Sequence, residues 1–178
     1  KSASEIPLKN SFLGKRGLTH DRRWMVVDKS ARFITQRTSP KMALLKTKIF
    51  DGTLKLIAPG MSELKLPLFK TEGIPKIVEI WGDRCEAILA DKQSERWISD
   101  FLGEKCNFVF MPDHTNRQVD QQYATGKNQV AFSDGFPLLL ISESSLFDLN
   151  SRVAEEISMK RFRPNLVVKN TAPYQEDN

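Results

Sequence analysis

Short runs of alternating apolar residues, separated by two-residue turn signals, dominate the first hundred residues of this chain. Asp51-Gly52 and Gly82-Asp83 each stand between two such runs. Glycine accepts a positive φ without steric cost, so these pairs favour tight hairpin turns. The flanking runs are residues 44–50, 53–57, 76–81 and 84–89. This spacing restricts the first part of the chain to antiparallel hairpins that build a barrel or a curved sheet.

Further strands extend the same pattern. Residues 23–27 and 33–36 flank a polar stretch and predict another hairpin. Residues 64–69 predict an edge strand, because Pro67 cannot donate a ladder hydrogen bond. Residues 106–111 predict one more strand.

One amphipathic helix interrupts the strands over residues 92–102. Asp91 precedes it as an N-cap, and Gly103 follows where a left-handed residue ends many helices. The helix is expected to pack on the core through the stripe Trp97, Ile98, Phe101 and Leu102.

The pattern changes after a polar, aperiodic segment at residues 113–128, which we interpret as a boundary or a mobile loop. Residues 138–141 then predict a continuous apolar strand, and Ser142 predicts the N-cap of a helix that ends near residue 152. Residues 165–168 predict a second strand. This strand, helix, strand order differs from the hairpins before it and predicts a second domain.

Composition excludes several classes of protein. The 178 residues, 40% hydrophobic and 28% charged, suit one globular domain or two small ones. No apolar run approaches the roughly 18 residues of a membrane span, and no signal peptide is visible, so we expect a cytoplasmic protein with no membrane partner. Cys85 and Cys106 have no metal-ligand spacing and are expected in the core, as free thiols or as a disulfide. His20 is interpreted as a structural hydrogen-bond partner beside Asp21, and His114 as a solvated side chain.

The net charge of +5 reflects 27 Lys and Arg residues against 22 Asp and Glu residues. The basic residues are scattered and form no block of the kind found in nucleic-acid tails. Phe108 and Phe110 alternate in a predicted strand without basic residues between them, so core packing is expected rather than base stacking. We therefore expect no nucleic-acid partner, and the mild positive charge suits a compact phosphate-bearing ligand.

Three polar clusters supply candidate binding residues. They are Lys1-Ser2, the stretch GLTHDRRW at 17–24, and RFRPN at 161–165. Guanidinium groups bind phosphate in a bidentate manner, lysine adds a point charge, and Ser or Asn supplies orienting hydrogen bonds. If they converge, these clusters predict an anion pocket built from distant parts of the chain.

Several motifs, in order along almost the whole chain, resemble the MOSC family. The N-terminal motifs resemble its N-terminal β-barrel domain, and the later ones resemble the start of a MOSC domain. Within this family, the motifs most resemble those of mitochondrial amidoxime-reducing components and of bacterial MOSC proteins that detoxify N-hydroxylated bases. The motifs are Lys1-Ser2, GLTHDRRWMVVD at 17–28, FITQR at 33–37, DGTLKLIAP at 51–59, FSDGFPLLL at 132–140, ESSLFDLN at 143–150 and RFRPNLVV at 161–168.

The resemblance implies an α+β, mostly β fold, with a β-barrel-like N-terminal domain followed by an incomplete MOSC β-barrel. It implies a leading segment at 1–22 that contributes to the cofactor pocket, the N-terminal domain at 23–112 and the first part of the MOSC domain at 113–178. It further implies that the molybdenum cofactor, molybdopterin, is bound by Lys1, Ser2, Arg22, Arg163 and Asn165. The family's metal-holding cysteine is expected beyond residue 178, so no metal ligand and no catalytic residue are assigned within this chain.

Two functions follow from the resemblance. The first is an oxidoreductase that, when complete, reduces small N-hydroxylated compounds with electrons from a donor protein or a fused ferredoxin-like domain. The alternative is a sulfur or cofactor carrier without turnover, because MOSC domains also occur attached to pyridoxal-phosphate-dependent cofactor sulfurases.

Overall fold

Antiparallel hairpins build most of the structure, a computed structural model that describes residues 1–124 and 126–177. The chain forms two compact units, Lys1–Gly135 and Phe136–Asn178. The first unit contains strands β1 (Leu13–Gly14), β2 (Gly17–Leu18), β3 (Trp24–Asp28), β4 (Lys46–Phe50), β5 (Thr53–Ile57), β6 (Leu64–Pro67), β7 (Pro75–Ile80), β8 (Asp83–Leu89) and β9 (Cys106–Phe110), helix α1 (Lys92–Leu102) and a 3-10 turn (Pro40–Leu44).

The strands of the first unit form open sheets. The larger sheet has the order β3-β9-β8-β7, the second has the order β4-β5-β6, and β1 pairs with β2. All of these pairings are antiparallel. The predicted mostly β, α+β fold class is confirmed, although the sheets over the described residues are open rather than closed barrels. Pro67 lies on the edge strand β6, as its missing N–H requires.

The two glycine-containing hairpins both turn through residues with positive φ. Asp51 and Gly52 have φ values of 47° and 66°, which confirms the first predicted turn. The second turn lies one residue earlier than predicted, at Trp81 and Gly82, with φ values of 52° and 88°. This register pairs Ile80 with Asp83 and lets alternate residues of β7 point into the core.

The strand predicted at residues 33–36 is wrong. Phe33 makes a single bridge to Val27. After it the chain enters a turn in which the Thr35 backbone N–H donates to Thr38 Oγ1 at 3.0 Å. Ser39 N then donates to the Thr35 carbonyl oxygen at 2.8 Å. Threonine hydroxyls offer the backbone local partners that compete with a sheet ladder.

Helix α1 begins and ends where the sequence predicts. The Asp91 side chain accepts a hydrogen bond from Ser94 N at 2.7 Å, and Gly103 adopts the left-handed conformation with φ 79°. That backbone bond is the largest effect on the Asp91 carboxyl and lowers its pKa. The predicted apolar stripe of the helix is buried.

The central strand β3 is buried on both faces. Trp24 and Val26 belong to a core shared with helix α1 and the three-stranded sheet. Met25 and Val27 belong to a second core on the opposite face, together with Phe132. Successive side chains of a strand point to opposite faces, so β3 separates the two cores.

The first part of the polar segment, residues 113–119, packs on the first unit. Its alternate residues Thr115, Arg117 and Val119 are buried. The predicted domain boundary between residues 112 and 113 stays a prediction, since the compact units divide after Gly135.

The second unit has the predicted strand, helix, strand order. It contains β10 (Leu140–Ser142), α2 (Glu143–Asn150) and β11 (Leu166–Val168), with 3-10 turns at Met159–Arg161 and Gln175–Asp177. Strands β10 and β11 pair in parallel. Ser142 caps α2, because its hydroxyl accepts a hydrogen bond from Ser145 N at 3.0 Å.

Replacement of Asp91 by Ala removes the N-cap of α1. We expect the free energy of unfolding to fall by about 1 kcal/mol, the usual contribution of such a cap. Urea unfolding followed by circular dichroism measures the change. Asp100→Ala, at an exposed acidic position in the same helix, is the matched control and should change stability by less than about 0.5 kcal/mol. Equal losses in both variants would contradict the capping role.

Candidate functional site

A cationic and aromatic cluster forms around one carboxylate of the first unit. Lys1 Nζ donates to Asp134 Oδ1 at 2.5 Å, and Trp81 Nε1 donates to the same oxygen at 2.9 Å. The Lys1 side chain is 7% exposed, whereas that of Asp134 is 70% exposed. We call Lys1, Arg22, Phe33, Trp81 and Asp134 the Lys1–Asp134 cluster.

The charged groups of the Lys1–Asp134 cluster shift one another's pKa values. Burial lowers the pKa of Lys1, the ion pair with Asp134 opposes this shift, and the positive charge of Arg22 adds to it. Burial would raise the pKa of Asp134, but the hydrogen bond and charge of Lys1 lower it. The hydrogen bond from Trp81 and the charge of Arg22 lower it further, so the carboxyl lies below its ordinary pKa. Asp134 is therefore a carboxylate at neutral pH.

Two aromatic rings flank the lysine. Lys1 Nζ lies 5.3 Å from the centroid of the Trp81 ring and 5.6 Å from that of Phe33. The two ring centroids are 4.7 Å apart with an interplanar angle of 54°. The cation is within the range at which ring faces attract positive charge.

Hydrogen bonds to backbone carbonyls bring distant motifs of the sequence to the Lys1–Asp134 cluster. The Arg22 carbonyl accepts a hydrogen bond from Phe132 N at 3.0 Å, which joins the GLTHDRRW stretch at 17–24 to the FSD stretch at 132–134. The Arg22 guanidinium forms an ion pair with Asp21. Ser2 is buried, and its carbonyl accepts from Gln36 Nε2 at 2.9 Å.

Arg117 holds the FSD stretch from inside. It is 5% exposed. Its guanidinium donates to the carbonyl oxygens of Ala131 and Ser133 at 2.8 Å and to that of Asp134 at 2.9 Å. Its Nε donates to Asp83 Oδ2 at 2.8 Å. One buried side chain therefore ties the carbonyls of Ala131, Ser133 and Asp134 to the hairpin that carries Trp81, since Asp83 begins β8.

Several residues of the candidate site have a left-handed backbone. The φ values are 70° for Ser2, 48° for Arg22, 52° for Trp81 and 58° for Arg163. Residues other than glycine rarely adopt this conformation, and they accumulate where function needs a fixed geometry. Three of these four were predicted as cofactor-binding residues from sequence motifs.

Arg163 and Asn165 lie in the second unit. Arg163 is half-buried and directly follows the 3-10 turn and Phe162. Asn165 extends the β10–β11 ladder, because its backbone N–H donates to the Leu139 carbonyl at 2.8 Å and its Oδ1 accepts from Leu139 N at 3.1 Å. The structure thus brings together Lys1, Ser2 and Arg22 in one unit and Arg163 and Asn165 in the other.

Two domain families match the chain over most of its length. The MOSC N-terminal beta barrel domain matches residues 1–105, and the MOSC domain matches residues 127–178. The chain belongs to the MOSC family. The resemblance carried by the sequence motifs is thereby confirmed.

Known proteins are similar to this MOSC chain. Mitochondrial amidoxime-reducing component 1 of Mus musculus is 33% identical over 172 residues, which cover 90% of this chain and 49% of that protein. Molybdenum cofactor sulfurase of Oryza sativa subsp. japonica is 29% identical over 198 residues, which cover 100% of this chain and 24% of that protein. A solution structure from Bordetella bronchiseptica is 20% identical at a TM-score of 0.47 and covers 59% of this chain and 90% of its own. The chain spans about half the length of the amidoxime-reducing component.

The residues of the MOSC first unit fit a phosphate-bearing cofactor. Lys1 Nζ already donates a hydrogen bond to a carboxylate, and a phosphate presents the same kind of anionic oxygen. The charge of Arg22 reaches the same carboxylate. Within residues 1–124 and 126–177, no group of three or more His, Cys, Asp or Glu side chains is placed to hold a metal ion.

The cysteines of the MOSC chain have structural roles. Cys85 and Cys106 are buried free thiols, which confirms their predicted place in the core. Burial raises the pKa of both, that of Cys106 to about 11, so neither is a reactive thiolate at neutral pH.

His20 differs from expectation, whereas the predicted exposure of His114 is confirmed. His20 packs edge-on against Phe69 at 4.9 Å between ring centroids, while Asp21 pairs with Arg22. Burial and the charge of Arg23 lower the pKa of His20. His114 lies 3.0 Å from Glu86 Oε1, with 63% of its side chain exposed.

Sequence reasoning missed the roles of Trp81, Asp134 and Arg117. Trp81-Gly82 stands where a two-residue turn usually has Asn-Gly or Asp-Gly, and that mismatch was the available signal. Arg117 had no signal, because a single arginine in a polar segment looks solvated until its burial is known.

Replacement of Arg117 by Met should leave the buried carbonyls of Ala131 and Ser133, and the part-buried carbonyl of Asp134, without this donor. We expect the free energy of unfolding to fall by about 3 kcal/mol, since one unpaired buried polar group costs about 1–3 kcal/mol. Chemical unfolding measures the change. Arg84→Met, at an exposed position on β8, is the control and should cost less than about 0.5 kcal/mol. A loss in Arg117→Met no larger than in the control would refute this stabilising role of Arg117.

Proposed function

We propose that the full-length protein containing this chain binds molybdopterin and reduces small N-hydroxylated compounds. The observation that carries the proposal is the Lys1–Asp134 cluster. There two cations from distant sequence positions, Lys1 and Arg22, act on one anionic group. The similarity to an amidoxime-reducing component over 90% of this chain supports the substrate class.

In this proposal, the cationic side chains and the hydrogen-bonding side chains bind different parts of the cofactor. Lys1 and Arg22 bind the phosphate of the cofactor, and Arg163 binds it through a guanidinium held in a left-handed backbone. Ser2 and Asn165 orient the pterin by hydrogen bonds. When bound, the cofactor would supply the electron transfer to the substrate.

The proposed reaction needs a reductant. An N-hydroxylated group takes up two electrons and two protons: its N–O bond breaks, one proton forms a new N–H bond, and the other leaves with the hydroxyl as water. We propose that an electron-donor protein or a fused ferredoxin-like domain delivers the electrons. Neither nucleic acid nor a membrane is proposed as a partner. No helix within the described residues has the length and apolarity that a membrane crossing needs.

We propose the cytoplasm as the location, because both thiols are free and buried as in a reducing compartment.

A carrier role is the second candidate. The similarity to a molybdenum cofactor sulfurase extends over 100% of this chain. A MOSC module of that kind would hold the cofactor or a sulfur atom with the same cationic side chains and would show no turnover.

Arg163→Glu tests the cofactor site. We expect the molybdenum and pterin content of the purified full-length protein to fall by at least about tenfold, because a charge-assisted hydrogen bond contributes roughly 1.5–3 kcal/mol. Elemental analysis and pterin fluorescence give the content. Arg161→Glu is the matched control, since Arg161 is an exposed arginine two residues away, and its content should stay near that of the wild type. Full cofactor content in Arg163→Glu would remove this residue from the site.

An activity assay separates the two candidate functions. The cofactor-loaded full-length protein, supplied with a low-potential chemical reductant, should convert an amidoxime to the amidine, measured by chromatography. Sulfur transfer without any reduction would favour the carrier.

A further inference from the structure

We propose that the outer face of the three-stranded sheet docks a small, acidic one-electron carrier protein. This face carries Lys48, Lys55 and Lys65, one on each strand, while the neighbouring leucines of β5 and β6 pack on the core from the other face. We call these three residues the lysine row. The proposal deepens the proposed function and rests on it for the use of the electrons, whereas the docking itself can be measured without turnover.

The lysines of the row stand directly opposite one another. The register pairs Lys48 with Lys55 across β4 and β5, and Lys55 with Lys65 across β5 and β6. Such partners project from the same face of a sheet, and like charges in this position lower stability. The larger sheet follows the opposite rule, since it pairs Glu79 with Arg84. Stability alone therefore does not explain three lysines in one row.

The charge on this face is only partly neutralised. Strands β4, β5 and β6 contain four lysines and no acidic residue. Glu63 pairs with Lys55 at 3.5 Å. Among the described residues, no acidic side chain lies within ion-pair distance of Lys46, Lys48 or Lys65, and all three lysines are exposed. The face therefore presents net positive charge to the solvent and attracts carboxylates.

Protection of the sheet edges does not account for the lysines. Lysine on an edge strand discourages pairing with another chain. Lys55, however, lies on the central strand β5. The edge of β4 is already covered, because Ser4 N donates to the Leu45 carbonyl at 2.9 Å and Thr47 Oγ1 donates to the Ser4 carbonyl at 3.2 Å. The row therefore has a use other than edge protection.

The same sheet is attached to the candidate site along both of its edges. Ser4, which bonds to the β4 edge, lies two residues after Ser2. At the β6 edge, the Pro67 carbonyl accepts from Trp24 Nε1 at 3.0 Å, and Trp24 lies two residues after Arg22. A protein docked on the lysine row is thus held on the sheet that supports the proposed cofactor residues.

Lysines suit a partner that has to bind and leave repeatedly. Reduction of one N-hydroxylated group takes two electrons, so two reduced one-electron carriers are each oxidised once while two protons are consumed and water leaves. Weak redox complexes have small interfaces, and complementary charge raises their association rate more than their affinity. The row supplies such attraction without the arginine and tryptophan anchors of a tight interface. Phe50, 63% exposed, adds one apolar contact beside Lys55.

Steady-state kinetics of the cofactor-loaded full-length protein test the docking face. A plant-type [2Fe–2S] ferredoxin, a small acidic protein, supplies the electrons for reduction of an amidoxime. In the double variant Lys48→Glu/Lys65→Glu, we expect KM for ferredoxin to rise at least about tenfold, because charge steering changes association rates by that order. With dithionite as the reductant, kcat and KM for the amidoxime should match those of the wild type, because dithionite needs no docking face.

A matched control changes the net charge equally at another place. Lys29→Glu/Lys76→Glu reverses two exposed lysines of the first unit outside the three-stranded sheet, and its KM for ferredoxin should stay near that of the wild type. The melting temperature of Lys48→Glu/Lys65→Glu should not fall, because each replacement sets a carboxylate opposite Lys55. An equal rise of KM in both double variants overturns the proposal, since overall charge would then explain it.

A binding experiment decides the docking without turnover. Oxidised ferredoxin titrated into the full-length protein should bind the wild type and the control variant, and should bind Lys48→Glu/Lys65→Glu at least about tenfold more weakly. Binding should weaken as salt is added, because exposed charges are screened. Binding without reduction of amidoximes by any reductant supports the docking face and rejects the proposed function.

Two outcomes overturn the docking face. Absence of ferredoxin binding does so, and reduction of an amidoxime by dithionite in that case leaves the proposed function intact. A DNA duplex that binds through the lysine row while ferredoxin does not would assign the face to nucleic acid instead.

Discussion

The pairing of β3 with β9 is the constraint on which the rest of the structure depends. β3 is buried on both faces, so this one strand separates the two cores of the first unit. At its N-terminal end the ladder continues through the Arg23 carbonyl, which accepts from Met111 N at 2.9 Å. The Arg22 carbonyl then accepts from Phe132 N. Arg22 therefore lies where a rigid strand ends, and its charge acts on Asp134.

The candidate site combines a rigid support with local backbone strain. Arg117 is buried and ties the FSD stretch to the hairpin that carries Trp81. Ser2, Arg22 and Trp81 have positive φ, which costs stability unless the surroundings hold them in place. The two cores and the buried arginine supply that support. A site of this kind presents Lys1 and Asp134 in a fixed geometry before any ligand binds.

Much of the fold was predictable from local patterns. Asp51-Gly52, the Asp91 cap and Gly103 each determine the conformation of a few neighbouring residues, and the structure confirms all three. The strand predicted at 33–36 failed because the Thr35 and Thr38 hydroxyls offered hydrogen bonds that a pattern of apolar residues does not reveal. The buried arginine at 117 was missed for a related reason, since its partners are carbonyls that become its neighbours only in the folded chain.

The sequence by itself determined the mostly β character, the hairpins, the helix caps and membership of the MOSC family, because these depend on residues close together in the chain or on motifs in order. Only the tertiary structure decided that Lys1 Nζ and Trp81 Nε1 both donate to the same oxygen of Asp134, Oδ1. It also decided that Arg117 is buried beneath them. The physical reason is the separation along the sequence. A turn or a cap joins residues a few positions apart, whereas the ion pair between Lys1 and Asp134 joins residues 133 positions apart. Such a contact exists only after two cores have packed on either side of one strand.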